Sequence, residues 1–137
     1  MTVSVVADEV LPLRSDDDVA RVRRAVRAVA QRRSFDAFAL VALTTAASEI
    51  ARNAVHHGGG GTARIEELAD GRGGIRLTIA DEGPGIADLE RVLRGGYSTS
   101  RSLGLGVSGT RRLVDDFLIE STPGRGTRVV IVKWTRR

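Results

Sequence analysis

The amino-acid sequence predicts an α+β fold, a two-layer sandwich in which a mixed, mostly antiparallel sheet carries helices on one face. Two stretches in the first half have apolar residues at helical spacing, whereas shorter stretches elsewhere alternate or are rich in β-branched residues. The last two strand-like stretches are separated only by "GRG", which is too short for a crossover helix. The 137 residues show no internal repeat, so we expect one domain over 1–137.

The first part of the chain predicts a strand followed by two helices. Alternation in "TVSVVA" indicates an opening strand. Ser15 precedes three aspartates, a pattern typical of an N-cap with acids in the first helical turn, and the helix is predicted over 16–33. A second helix is predicted over 36–57, before the four glycines 58–61. In the first helix, a buried stripe is expected at Val19, Val22, Val26 and Val29, and an arginine face at Arg21, Arg24 and Arg27.

The second part of the chain predicts mostly strands joined by short turns. The turn "DGRGG" joins the first two strands, and "GRG" joins the last two. In chain order, the predicted elements are strands over 63–69 and 74–81, helices over 87–94 and 107–117, and strands over 117–123 and 127–134.

Composition narrows the possible partners and compartments. The net charge is +4, but acidic and basic residues are mixed through the chain and only 4% are aromatic, so we expect no nucleic-acid partner. No apolar run is long enough to cross a bilayer, which predicts no membrane partner. The chain has no cysteine, which excludes disulfides and thiolate metal sites. With no secretory signal evident at the start, we expect a cytoplasmic protein.

The stretch "SLGLGVSGTRRL" places Gly104, Gly106 and Gly109 in the spacing G-x-G-x-x-G. A dinucleotide-binding turn needs a buried strand before the first glycine, and "GGYSTSRS" cannot be one. A protein-kinase flap needs a downstream His-Arg-Asp loop, which is absent. A loop ending at a helix N-terminus fits better, because its free amides and the small Gly104 and Gly106 let the backbone approach phosphate oxygens.

The stretch "DEGPGI" places Asp81 at the end of an apolar strand. One interpretation is a surface turn, since Asp, Pro and Gly are typical turn residues. The other is that the Asp81 carboxylate accepts a hydrogen bond from the exocyclic amine of adenine, which guanine lacks at that position. Gly83 and Gly85 would then leave room for the base.

The stretch "SEIARNAVHHG" places Glu49 and Asn53 four residues apart, on one face of a helix. This is either a polar helix edge or part of a site. In a site, the Asn53 side-chain oxygen can bind Mg²⁺, and Glu49 can orient a nucleophile or take its proton. His56 and His57 lack the further ligands of a zinc site.

Together, "SEIARN", "DEGPGI", "GYSTSRSLGLGVSGTRRLVDDF" and "GTRVVIVKW" resemble, in order, the nucleotide site of the GHKL (Bergerat-fold) ATPases. The likeness is greatest to the anti-sigma-factor serine/threonine kinases, in particular those of the RsbT switch-kinase type. It extends from the second helix to the last strand and implies a Bergerat ATP-binding fold with Mg-ATP as cofactor. It also implies that Asn53 binds Mg²⁺ and that Glu49 is the general base for a partner's serine or threonine hydroxyl.

The resemblance also implies where the nucleotide lies. Asp81 is expected to bind the adenine amine beside Gly83 and Gly85, with support from Thr127 in the last strand. Residues 95–106 are expected to form an ATP lid, with Gly104 and Gly106 at the phosphates. Arg101 is a candidate for the γ-phosphate, although it stands one place away from the lid arginine of related kinases.

The resemblance implies partners as well. The expected substrate is a STAS-domain antagonist, and the kinase then binds and activates a PP2C-type phosphatase. An alternative is an anti-sigma factor that acts mainly by ATP-tuned sequestration of a sigma factor, with Arg21 and Arg24 on its docking surface. A histidine-kinase ATP domain and a protein that binds no nucleotide are two further alternatives.

Overall fold

The computed structural model describes residues 2–85 and 109–135 and shows one five-stranded sheet with two long helices packed against it. The strand order is β1-β2-β3-β5-β4, and all four pairings among these strands are antiparallel. This confirms the predicted α+β fold. The elements are β1 (Ser4–Leu13), α1 (Asp16–Arg32), α2 (Ala37–His56), β2 (Gly61–Ala69), β3 (Gly73–Asp81), β4 (Asp116–Thr122) and β5 (Gly126–Trp134).

Helix α1 forms as its sequence predicts. Ser15 is the N-cap in extended conformation, and its hydroxyl accepts a hydrogen bond of 3.3 Å from the Asp18 amide. The three first-turn aspartates lie where the helix dipole favours negative charge. The four valines of the predicted stripe are all buried, while Arg21, Arg24 and Arg27 are exposed. The burial of the valine stripe therefore holds α1 against the rest of the core.

Helix α2 follows after a short turn and runs antiparallel to α1. Asp36 caps it, accepting a 2.8 Å hydrogen bond from the Ala39 amide. Its buried face is rich in alanine, and small side chains of this kind permit close approach to the neighbouring helix and sheet. At its far end, the ring of His56 lies 2.7 Å from the carboxylate of Asp16 in α1. This contact pairs the beginning of α1 with the end of α2.

The sheet has an apolar face toward the helices and a polar face away from them. The inner face contributes Ile65, Ile75, Leu77, Ile79 and Ile131 to the core. Ion pairs cross the outer face, joining Arg76 to Glu66, Arg64 to Asp8 and Arg128 to Glu120. The Arg76 guanidinium donates twice to Glu66 and holds the pKa of that carboxyl below its ordinary value. The two long helices therefore lie on one face, as predicted.

The first strand is longer than the sequence predicts. The alternation in "TVSVVA" ends at residue 7, but β1 continues to Leu13 with one register shift between Val5 and Ala7. Pro12 is tolerated because β1 is an edge strand, where a missing backbone donor need not break a ladder on both sides.

The last predicted helix, over 107–117, extends too far. Of the described residues in this range, 109–117, only 109–111 are helical, and Asp116 already belongs to β4. The Asp115 amide donates to the carbonyl of Val132, and its carboxylate accepts from the amide of Trp134 at 2.7 Å. Pairing with β5 therefore replaces the helical hydrogen bonds that the local sequence favours.

Two predictions lie outside the described residues: the helix over 87–94 and the glycine-rich stretch 95–106. Among the helices that the structure describes, none is long and apolar enough to cross a membrane.

We expect Leu77→Ala in β3 to lower the free energy of unfolding by about 2–5 kcal/mol, because it removes a fully buried side chain from the central strand. Leu118→Ala in β4 is the control, since that leucine is 51% exposed and should change stability by about 0.5 kcal/mol or less. Urea denaturation of the two variants and the wild type measures both values. Equal losses would contradict this assignment of the core.

Candidate nucleotide site

A cavity lies between the C-terminal half of α2 and the ends of β3, β4 and β5. Its walls are mainly apolar, with Ile79 and Val129 from the sheet and Ile50 from α2. Asn53, Asp81 and Thr127 also line it, each from a different element. An apolar slot with a few convergent polar groups is the usual form of a small-molecule site.

Asp81 is the last residue of β3 and pairs with Gly61 on one side and Thr127 on the other. Its carboxylate accepts hydrogen bonds from the backbone amides of Gly83, at 2.9 Å, and Thr127. Burial raises the pKa of Asp81 above its ordinary value, and these two amides partly oppose the shift. The carboxylate is thus fixed in position by backbone donors while it still lines the cavity.

The four glycines 58–61 shape the wall behind Asp81. A Cβ on Gly58 would overlap the Asp81 carboxyl group, and one on Gly61 would overlap the carbonyl of Ala80. Gly59 and Gly60 have φ of +74° and +102°, in the left-handed region that favours glycine. Each of the four positions therefore has its own physical reason for glycine, and the sequence signal for this turn is the glycine run itself.

Gly83 and Gly85 are close to backbone. A Cβ on Gly83 would lie 2.5 Å from the carbonyl oxygen of Gly58, and one on Gly85 would lie 2.5 Å from that of Thr122. Gly85 has φ of +77° and lines the cavity, whereas Gly83 packs behind it. Close backbone packing thus explains both glycines, and their place beside an adenine ring stays a prediction.

Asn53 presents an unsatisfied polar group to the site. Its side-chain nitrogen is buried and has no hydrogen-bond partner among the described residues. An unpaired buried amide costs about 1–3 kcal/mol, so a ligand that pairs with this side chain would recover that free energy. The side-chain amide of Asn53 therefore lies at the cavity and is available to bind a ligand.

Mg²⁺ is compatible with the ligand atoms that the site offers. In the described parts of the chain, no group of three or more His, Asp or Glu side chains could hold a metal ion. Mg²⁺ commonly takes one or two protein oxygens and completes its octahedron with phosphate oxygens and water. One amide oxygen from Asn53 is compatible with that ligand set.

Glu49 lies one helical turn before Asn53 and outside the cavity lining. Its side chain is 35% exposed, and its carboxylate accepts a 2.7 Å hydrogen bond from the Arg52 guanidinium. Glu49 is thus accessible at the edge of the site, with its carboxylate paired to Arg52.

Thr127 pairs with Asp81 on the adjacent strand, and its role at the adenine stays a prediction. Its hydroxyl is 2.9 Å from that of Ser121 in β4, which sequence reasoning missed. The two hydroxyls join β4 and β5 beside the cavity. A lone serine in a strand of seven residues carries no distinctive sequence signal, and only the strand pairing identifies it.

The structure therefore brings four predicted site residues to one cavity: Asn53, Asp81, Gly85 and Thr127. Glu49 lies beside it and Gly83 behind it. The predicted phosphate glycines Gly104 and Gly106, and Arg101, lie outside the described residues.

The sequence matches the family described as histidine kinase-like ATPase domains over residues 12–133. The chain belongs to this histidine kinase-like ATPase family. Among its relatives, the serine/threonine-protein kinase RsbT of Bacillus subtilis is 40% identical over 120 residues, which cover 87% of this chain and 90% of RsbT. The predicted membership of the GHKL ATPases and the likeness to RsbT-type kinases are confirmed. Nucleotide binding follows from the family.

A second relative and two solved structures are also similar to this chain. An anti-sigma F factor of Thermoanaerobacter sp. (strain X514) is 32% identical over 97 residues, 67% of this chain and 68% of that protein. The RsbU and RsbW domains of a Mycobacterium tuberculosis protein superpose with a TM-score of 0.65 at 19% identity, covering 96% of this chain and 34% of theirs. The structure of the mycobacterial sensor histidine kinase MprB superposes with a TM-score of 0.56 at 22% sequence identity. The match covers 95% of this chain and 99% of the MprB chain. Both structures share the fold.

We expect Gly58→Ala to lower ATP affinity about tenfold or more, because the new methyl group would displace the Asp81 carboxylate. Gly59→Asn is the matched control, since Gly59 faces open space and asparagine tolerates its positive φ. Isothermal titration with Mg-ATP measures both affinities, and thermal melting checks that both variants fold. An equal loss in the two variants would contradict the steric argument.

We expect Asp81→Asn to lower ATP affinity about 10- to 100-fold at neutral pH, the usual range for losing a hydrogen bond to a charged group. Because burial raises the pKa of Asp81, its carboxylate is protonated at a higher pH than an exposed aspartate. On acidification, the affinities of wild type and variant should converge, beginning above the ordinary aspartate range. Titrations over a pH series test this, and a constant ratio would contradict it.

Proposed function

We propose that the protein is a cytoplasmic serine/threonine kinase that uses Mg-ATP to phosphorylate a STAS-domain antagonist and then binds and activates a PP2C-type phosphatase. One observation supports this above the others. Glu49 is accessible at the edge of the nucleotide cavity, one turn from Asn53, so a hydroxyl of a second protein can reach it. A base enclosed within the cavity would instead suit hydrolysis by water.

The cavity suits the adenine end of the nucleotide. Asp81 accepts a hydrogen bond from the adenine amine, and its backbone donors keep the carboxylate oriented for that contact. Ile79 and Val129 provide apolar surface for the base, and Thr127 offers a hydroxyl beside Asp81. Asn53 would hold Mg²⁺ through its side-chain oxygen. When bound, that ion would neutralise charge on the phosphates.

Phosphoryl transfer then needs a base beside the phosphates. Glu49 takes the proton of the incoming serine or threonine hydroxyl as its oxygen forms a bond to the γ-phosphorus. The bond between that phosphorus and the β-γ bridging oxygen breaks, and ADP leaves with the electron pair. The exposed Glu49–Arg52 pair is of the kind worth about 0.3–0.5 kcal/mol, so exchanging it for a substrate contact costs little.

The names of the relatives support the choice of partners. One is a serine/threonine-protein kinase and another is an anti-sigma F factor, so a chain of this group acts on or binds other proteins. The RsbT match covers more of both chains at higher identity. We therefore place the STAS-domain antagonist first as substrate.

A second candidate function is sequestration of a sigma factor, with ATP tuning the affinity. The exposed side chains of Arg23, Arg24 and Arg27 on α1 favour it, because they form no ion pair within the part of the chain that the structure describes. A free basic face suits an acidic protein surface. The likeness to anti-sigma F factors points the same way.

We expect Glu49→Ala to reduce phosphotransfer about 10²- to 10⁴-fold while ATP affinity stays within about threefold of the wild type, because Glu49 lies outside the cavity. The assay uses γ-labelled Mg-ATP and the STAS-domain protein of the same organism. Glu120→Ala is the control, since it removes a glutamate from an exposed ion pair on the outer face of the sheet.

Equal transfer by wild type and Glu49→Ala would exclude Glu49 as the base. No transfer by the wild type, with ATP binding intact and tight binding of a sigma factor, would favour the second function instead.

A further inference from the structure

The exposed face of α2 carries a continuous stripe of five side chains that ends at the proposed base. Phe38, Val41, Thr45, Glu49 and Arg52 are spaced by three or four residues, so they lie in one line along the helix. The first two are apolar and strongly exposed, Phe38 at 83% and Val41 at 59%. Thr45 is small and exposed between them and the charged pair. We call this set the α2 stripe.

The apolar end of the α2 stripe is unusual for a helix surface. A single exposed leucine or valine needs no explanation, but an almost fully exposed phenylalanine one turn from a second large apolar residue forms a patch. Aromatic side chains of this kind are common anchors in protein interfaces. The patch is also continuous with Glu49, which lies about 16 Å from Phe38 along the helix axis at the usual rise per residue.

We propose that the α2 stripe is the docking surface for the protein that carries the phosphoacceptor hydroxyl. This rests on the proposed function, in which Glu49 takes the proton of that hydroxyl. The partner covers Phe38 and Val41 with an apolar side chain. It then crosses Thr45, whose side chain is small enough to let the partner lie close to the helix. Its serine or threonine then lies at Glu49, three helical turns from the anchor.

A groove beside Phe38 extends the anchor. It has a volume of about 320 Å³ and is lined in part by Phe38, Trp134, Lys133 and Asp115. The Lys133 ammonium donates a hydrogen bond of 2.9 Å to the carbonyl oxygen of Leu113. Its other N–H groups remain to donate to a partner. The groove therefore gives the partner an apolar wall beside Phe38 together with the Lys133 ammonium. Its two carboxylates, those of Asp36 and Asp115, each accept a backbone hydrogen bond from within the protein.

The charge of the neighbouring helix defines the partner further. Helices α1 and α2 are antiparallel neighbours, as the contact between Asp16 and His56 shows. Arg24 and Arg27 are exposed on α1, the helix next to α2, and neither forms an ion pair among the described residues. A partner that fits both helices has an apolar centre with acidic groups on one side.

The test uses the full chain and the STAS-domain protein of the same organism as probe. The variant is Phe38→Ser with Val41→Ser, and the control is Leu118→Ser, an exposed leucine on the other face of the sheet. We expect the double variant to raise KM for the STAS-domain protein about tenfold or more. We expect kcat and KM for ATP to stay within about twofold, and the control to match the wild type.

Each outcome has a defined meaning. An unchanged KM for the STAS-domain protein would overturn the docking proposal alone, because phosphotransfer itself would still be observed. Binding of that protein by calorimetry without any transfer would overturn the proposed function, and loss of this binding in the double variant would still support the docking surface. If the double substitution instead abolishes self-association or sigma-factor binding, the surface belongs to that partner and the proposal fails.

Discussion

The close approach of three backbone segments to the end of β3 is the constraint on which the rest of the site depends. Gly58, Gly61 and Gly126 each lie where a side chain would overlap Asp81 or its immediate backbone. This packing fixes the register in which β2 and β5 flank β3 at the cavity. The Asp81 carboxylate, the Thr127 hydroxyl and the end of α2 take their positions from it.

The buried polar groups are paired differently at the cavity than elsewhere in the protein. Away from the cavity, carboxylates are matched with guanidinium groups, as Glu66 is with Arg76 and Glu67 is with Arg32 and Arg33. At the cavity, backbone amides hold Asp81, and the Asn53 side-chain nitrogen has no partner in the described structure. The unsatisfied hydrogen-bonding group thus lies at the candidate site, and its cost is offset by a core of tightly packed valine, isoleucine and alanine.

The sequence predicted most of the fold because its signals are local. Ser15 and the valine stripe define α1, and the spacing of Glu49 and Asn53 correctly places both on one side of α2. The errors arise where pairing between distant strands determines the secondary structure. Asp115 forms a hydrogen bond to β5 and does not continue a helix. Strand β1 extends through Pro12 because an edge strand tolerates a proline. The Ser121–Thr127 contact joins two strands, and no local pattern marks it.

The strand order has a consequence for how the protein reaches its native state. β5 is synthesised after every other described element, yet it lies in the sheet between β3 and β4. Until it is inserted, the central strand β3 has an unpaired edge and the core lacks Ile131. The contacts that complete the sheet are therefore among the most distant in sequence, and such contacts slow folding. While the chain emerges from the ribosome, this open edge is the part most exposed to aggregation.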